Sequence, residues 1–147
     1  MKKSKGFTLV ELLIVIIIIG ILAGMMMLST GSATDKAEAT KIVSDMRNIK
    51  AACLMYYADN NKWPTQTQFA DVVKYLDQDP GTKYALAGTD GASLFVTNGE
   101  AITAGVAKKL GVMASSAGLR ADITTSADYA GTATAKESVF MIIRKTN

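Results

Sequence analysis

The chain has no histidine, a single cysteine, two prolines and one tryptophan among 147 residues. Without histidine there is no Ser-His-Asp or Cys-His nucleophile system, and the commonest transition-metal side chain is missing. Cys53, being alone, forms neither an intrachain disulfide nor a thiolate zinc cluster. Dinucleotide-binding and phosphate-loop glycine patterns and the EF-hand spacing are absent as well. These gaps disfavour an enzyme, and the expectation is a non-catalytic protein without a cofactor. The formal charge is +3, but Lys2, Lys3 and Lys5 supply the excess; acidic and basic side chains balance over residues 6–147. That balance gives no electrostatic case for nucleic acid.

What is present is aliphatic. The chain is long enough for about one domain. Its hydrophobic share is 49% while aromatics supply only 7%, and much of the remainder lies in one run. Every residue over 12–28 is apolar or glycine, and the run reaches back to Phe7 if Thr8 and Glu11 are admitted. A helix over residues 7–28 spans roughly 33 Å, the hydrocarbon thickness of a bilayer. Basic residues before the run predict a cytoplasmic N-terminus, one pass, and an exported remainder.

A secretory signal cut after Ala23 or Gly24 is the ordinary alternative. Two features weigh against it. Glu11 interrupts the run, where an unpaired carboxylate costs a few kcal/mol that a disposable signal has no reason to bear. Gly20 and Gly24 permit close helix approach, and the three methionines at positions 25–27 fill irregular gaps, as suits packing against other helices.

The string Lys2-Lys3-Ser4-Lys5-Gly6 followed by Phe7-Thr8-Leu9-Val10-Glu11-Leu12-Leu13-Ile14-Val15 resembles the class III signal of type IV prepilins and type II secretion pseudopilins. The resemblance implies that a prepilin peptidase cuts after Gly6 on the cytoplasmic side and N-methylates Phe7, so that the apolar helix is retained. It implies an inner-membrane assembly platform with a cytoplasmic ATPase, and residence in the bilayer before assembly. Leu9, Leu12, Leu13, Ile16, Gly20 and Gly24 would then pack in a filament core, with Glu11 in the family's glutamate position. A new α-amino cation at Phe7 and the positive end of the helix both favour a nearby carboxylate. If the amine of one copy meets Glu11 of another inside a helix bundle, the pair acts chiefly as a register device, because a lone buried charge costs several kcal/mol. Many members have proline near the end of the run, about where Leu28 stands here; without it, any extension or melting is expected near Gly20 to Gly24.

Helical periodicity resumes after a polar stretch at 29–34. Ala39, Ile42, Met46, Ile49, Cys53 and Tyr56 recur at steps of three and four, which predicts one apolar face and makes Cys53 a small buried hydrophobe. The sequence Asp59-Asn60-Asn61-Lys62-Trp63-Pro64 ends the helix, since Asx residues favour turns and proline restricts its predecessor. With Tyr56 and Tyr57 it also resembles the junction of long helix and following loop in pilins and major pseudopilins. Beyond it the pattern predicts a short helix over 66–77, strands over 84–86 and 93–97 forming a hairpin, a helix over 100–110, and a loop over 115–134 with one short strand at 121–125. The best strand is 138–144, expected to be central and buried on both faces.

The expected fold is therefore α+β and pilin-like. A leader (1–6), a membrane-spanning or filament-core helix (7–28) and its amphipathic second half (29–58) precede a head (59–147) with a small antiparallel sheet packed on the helix. The family often staples its head with a cysteine pair, which this chain cannot form, and major pseudopilins commonly bind calcium there. Asp122 and Asp128 are the weak candidates here, two acids without ligand spacing. The leading functional expectation is a type IV pilus subunit forming a helical homopolymer, first in the inner membrane and then in a filament, serving adhesion, motility or DNA uptake. The alternatives are a type II secretion major pseudopilin and a non-polymerising membrane-anchored binding protein.

Overall fold

A computed structural model describes residues 6–88, 94–99, 101–121, 129–131 and 138–144. The chain divides into two compact units, one ending at Thr34 and one running from Asp35 onward. Helix α1 is assigned over Leu9–Asn60. Its part in the first unit is helical through Gly20 and Gly24, so the single chain shows no break where melting was expected. From Gly6 to Met27, and again over residues 31–34, every residue of this unit is exposed.

In the second unit, the stripe read from the sequence is the core face. Ala39, Ile42, Met46, Ile49, Cys53 and Tyr56 are all buried, joined by Val43 and Ala52. They pack with Val72, Leu110, Leu119, Val139 and Met141 in one cluster. Burial pushes the Cys53 thiol up to about 12, which leaves it un-ionised and inert at neutral pH. At the helix end, Asn61 adopts φ 54°, a left-handed conformation that asparagine tolerates. Tyr57 stacks on Trp63 at 4.6 Å between centroids, and the Tyr75 hydroxyl donates to Asp59 Oδ2 at 2.8 Å. That bond, which Asp59 accepts, raises the Tyr75 pKa.

Strands β1 (Tyr84–Ala87), β2 (Leu94–Asn98), β3 (Leu119–Arg120) and β4 (Val139–Arg144) form an antiparallel sheet in the order β1-β2-β4-β3. The expected hairpin is present, with Leu86 opposite Val96; most of its turn, and Ser93, lie outside the described residues. β4 is interior, as expected, but it is not buried on both faces: Val139, Met141 and Ile143 are buried while Phe140, Ile142 and Arg144 are half-buried. Only one face of an antiparallel sheet needs to meet the helix, so alternation suffices.

Three further boundaries differ from the sequence reading. The helix expected over 66–77 is a 3-10 turn (Gln66–Gln68) followed by α2 (Phe69–Val73). After Val73 the chain tightens, Leu76 N donating to Val73 O at 3.0 Å, as Tyr75 is drawn to Asp59. The helix expected over 100–110 is α3 (Ala104–Ala117). Thr103 caps its start by accepting from Val106 N at 3.3 Å, and Gly118 ends it at φ 68°. Consequently 115–117 is helix and not loop, and the short strand falls at 119–120; residues 122–128 and 132–137 lie outside the described residues.

Gly111, just past the expected helix end, sits inside α3 where another backbone passes. A β-carbon on it would lie 2.8 Å from Gly131 Cα and 3.0 Å from the Ala130 carbonyl carbon. Helix propensity favours alanine over glycine by about 1 kcal/mol, whereas overpacking against backbone costs about 1–3 kcal/mol. The clash prevails, and Gly111→Ala should lower stability by on the order of 1 kcal/mol. A thermal unfolding midpoint at or above that of the wild type would contradict this placement.

Candidate functional site

The first turn of α1 is built around Thr8 and Glu11. Thr8 N donates to Glu11 Oε2 at 2.8 Å and Thr8 Oγ1 donates to the same oxygen at 2.6 Å. In return, Glu11 N donates to Thr8 Oγ1 at 3.3 Å. With Leu9 as the first helical residue, Thr8 is the N-cap and Glu11 the third helical position, a reciprocal capping box that satisfies two otherwise orphaned donors. The sequence reading assigned Glu11 but missed Thr8. The signal was available, since Thr-x-x-Glu directly before an apolar run is a helix-start pattern.

This geometry ties the carboxylate to the start of the helix through one oxygen. Oε2 accepts both bonds, and Glu11 as a whole is exposed. Glu11 is thus held in place by its own chain while part of its acceptor capacity stays open to a cation brought by another chain. Gly6 and Phe7 immediately precede the cap, and both are exposed. A peptidase acting between them would work on chain just outside the helix and would leave the capping box whole.

The remaining site residues lie along the helix. Leu9, Leu12, Leu13 and Ile16 are all about half exposed or more, and among the described residues nothing beyond the helix's own adjoining backbone comes within 4 Å of a β-carbon added at Gly20 or Gly24. Sixteen large apolar side chains between Phe7 and Met27 are exposed. At roughly 1.5–3 kcal/mol for full burial of each such side chain, water leaves tens of kcal/mol of burial unrealised. The stem therefore needs lipid or other helices around it. Among the described residues, α1 is the one helix long and apolar enough to cross a membrane. Asp122 and Asp128, the weak calcium candidates, lie outside the described residues; among those described, no group of three or more acidic, cysteine or histidine side chains is placed to hold a metal.

Residues 1–27 match the prokaryotic N-terminal methylation motif, and residues 33–91 match the family described as PilW, C-terminal. The chain is 38% identical over 68 residues to the type II secretion system core protein G of Klebsiella pneumoniae, covering 46% of this chain and 49% of that protein. It is 37% identical over 83 residues to the protein of the same name from Pseudomonas aeruginosa, covering 56% and 58%. The matches thus span about half the length of these relatives. In structure, the chain is similar to the major type IV pilin PilA1 from Clostridium difficile, with a TM-score of 0.57 and 19% identity, covering 76% of this chain and 98% of that one. That likeness establishes the fold.

Proposed function

From a prepilin-type N-terminal motif joined to a pilin-like fold, we propose that the chain is a non-enzymatic structural subunit of a type IV pilus-class filament. Prepilin peptidase removes residues 1–6 and methylates Phe7; the retained helix anchors the subunit in the inner membrane, N-terminus inward, until an assembly platform driven by a cytoplasmic ATPase extracts it. The observation that carries this reading is the stem. A helix with sixteen exposed large apolar side chains has no stable state in water by itself, and after leaving lipid it can bury them only against copies of itself. Repeated contacts between unlike surfaces do not close and so give an open helical polymer.

A second reading, the periplasmic pseudopilus of a type II secretion system, is favoured by the named core protein G relatives. Both share the stem and its assembly chemistry and differ in where the filament ends. Mechanical shearing of intact cells distinguishes them from each other and from a monomeric anchor. Surface pili should release the protein as sedimentable filaments. A pseudopilus should yield filaments only after the outer envelope is opened, and a monomeric anchor should stay with the membrane in both fractions, which would overturn the filament reading.

A further inference from the structure

Beside the distal part of α1 runs a groove of about 750 Å³ that none of the assembly chemistry above uses. Glu38, Ile42, Asp45, Ile49, Ala52 and Met55 line one wall at steps of three and four residues. At ~1.5 Å per residue that wall is roughly 26 Å long. Leu76, Asp77, Asp79 and Pro80 form part of the opposite wall. The groove has four carboxylates against two lysines, Lys41 and Lys83, and Met55 is the exposed large apolar side chain in its lining. A long trough of this kind suits the side-chain ridge of a helix better than a compact small molecule.

A matching ridge stands on α3. Its inner face, Val106, Ala107, Leu110 and Ala114, is buried in the core, so Lys108 and Val112 point away from the chain's own body. Val112 is 82% exposed, the most exposed large apolar side chain among the described residues after Thr34. The helix carries Lys108 and Lys109 and no acid, and its 14 residues span roughly 21 Å. Length, charge sign and the unburied valine all fit the groove. Since the inner face of α3 is already occupied, the ridge can enter a groove only on another molecule.

We propose that a second copy of this chain seats its α3 ridge in this groove, Lys108 and Lys109 meeting Asp77 and Asp79 and Val112 meeting Met55. The contact joins two different surfaces, so it repeats head to tail and propagates in step with the stems. Its charges set which offset is accepted more than they set affinity. The inference rests on the polymer reading above and adds which head surfaces meet.

Zero-length carbodiimide cross-linking of wild-type filaments tests it, followed by digestion of the dimer band and mass spectrometry. The expected links are amides from Lys108 or Lys109 to Asp77 or Asp79; a dimer band linked only through other residues overturns the proposal. Val112→Asp gives the second measurement. Processing and thermal unfolding should be unchanged, because Val112 is exposed, while sheared filament falls at least tenfold. Should that variant express poorly, charge reversal decides: filaments lost in Lys108→Glu/Lys109→Glu should return when Asp77→Lys/Asp79→Lys is added, and failure to return counts against the contact. Normal filaments from Val112→Asp without the Lys–Asp links sink this contact and leave the polymer standing, whereas wild-type cells lacking filaments sink the polymer itself.

Discussion

Glu11→Gln is expected to leave the chain cut after Gly6 and inserted in the membrane, yet to remove it from the sheared filament fraction. The substitution separates two roles of one side chain. Glutamine can still reach the Thr8 N–H as the third-position partner of a capping box, so the helix start seen in the Thr8–Glu11 bonds is preserved. What it lacks is the charge that would pair with the amine of an incoming subunit. Leaving that amine buried alone costs about 3–5 kcal/mol, which weakens each subunit addition on the order of 10²–10⁴-fold. Thr8→Val is the complementary variant, losing about 1 kcal/mol of cap but keeping the charge, and should assemble at reduced yield. Wild-type filament yield from Glu11→Gln would show that the cap alone accounts for Glu11.

The second large effect lies in the head. Met46 is 0% exposed and among the largest fully buried side chains. Truncating it to alanine removes its transfer energy and leaves a cavity that close-packed neighbours fill only in part, costing about 2–5 kcal/mol. Domains of this size have about 5–15 kcal/mol in total, so the unfolding midpoint should fall by roughly 10–20 °C. Thermal denaturation followed by circular dichroism in detergent measures this, with Leu54→Ala as the control. Leu54 stands on the same helix but is 49% exposed, and its loss should change stability by about 0.5 kcal/mol or less. Equal shifts from the two variants would contradict the assigned core face.

The contrast between those two residues also explains how much of the molecule could be read from its sequence. The helix stripe from Ala39 to Tyr56 was legible because period and burial are the same fact on an amphipathic helix. The strands read at 84–86 and 93–97 stand at 84–87 and 94–98; they were legible from the turn residues between them and, in the second, from Phe95, Val96 and Thr97. Boundaries set by tertiary contact were not. The helix read over 100–110 continues through Gly111, where the backbone at Gly131 passes beside it, and the chain read as helix over 66–77 turns after Val73, where the Tyr75 hydroxyl meets Asp59, sixteen residues away. At the site, Gly6, Phe7 and Glu11 were visible as a motif. Thr8 was overlooked because the long apolar run on its C-terminal side dominates the pattern, although its spacing to Glu11 carried the cap.

The proposed filament subunit must retain its apolar stem, and the mature N-terminus of the protein recovered from sheared filaments reports on that directly. Intact-mass and N-terminal peptide mass spectrometry should find a chain beginning at N-methylated Phe7, with Glu11 and the run through Leu28 still attached. A mature chain beginning at Gly24 or Met25 would mean that the stem is discarded as an ordinary signal, and would contradict the account.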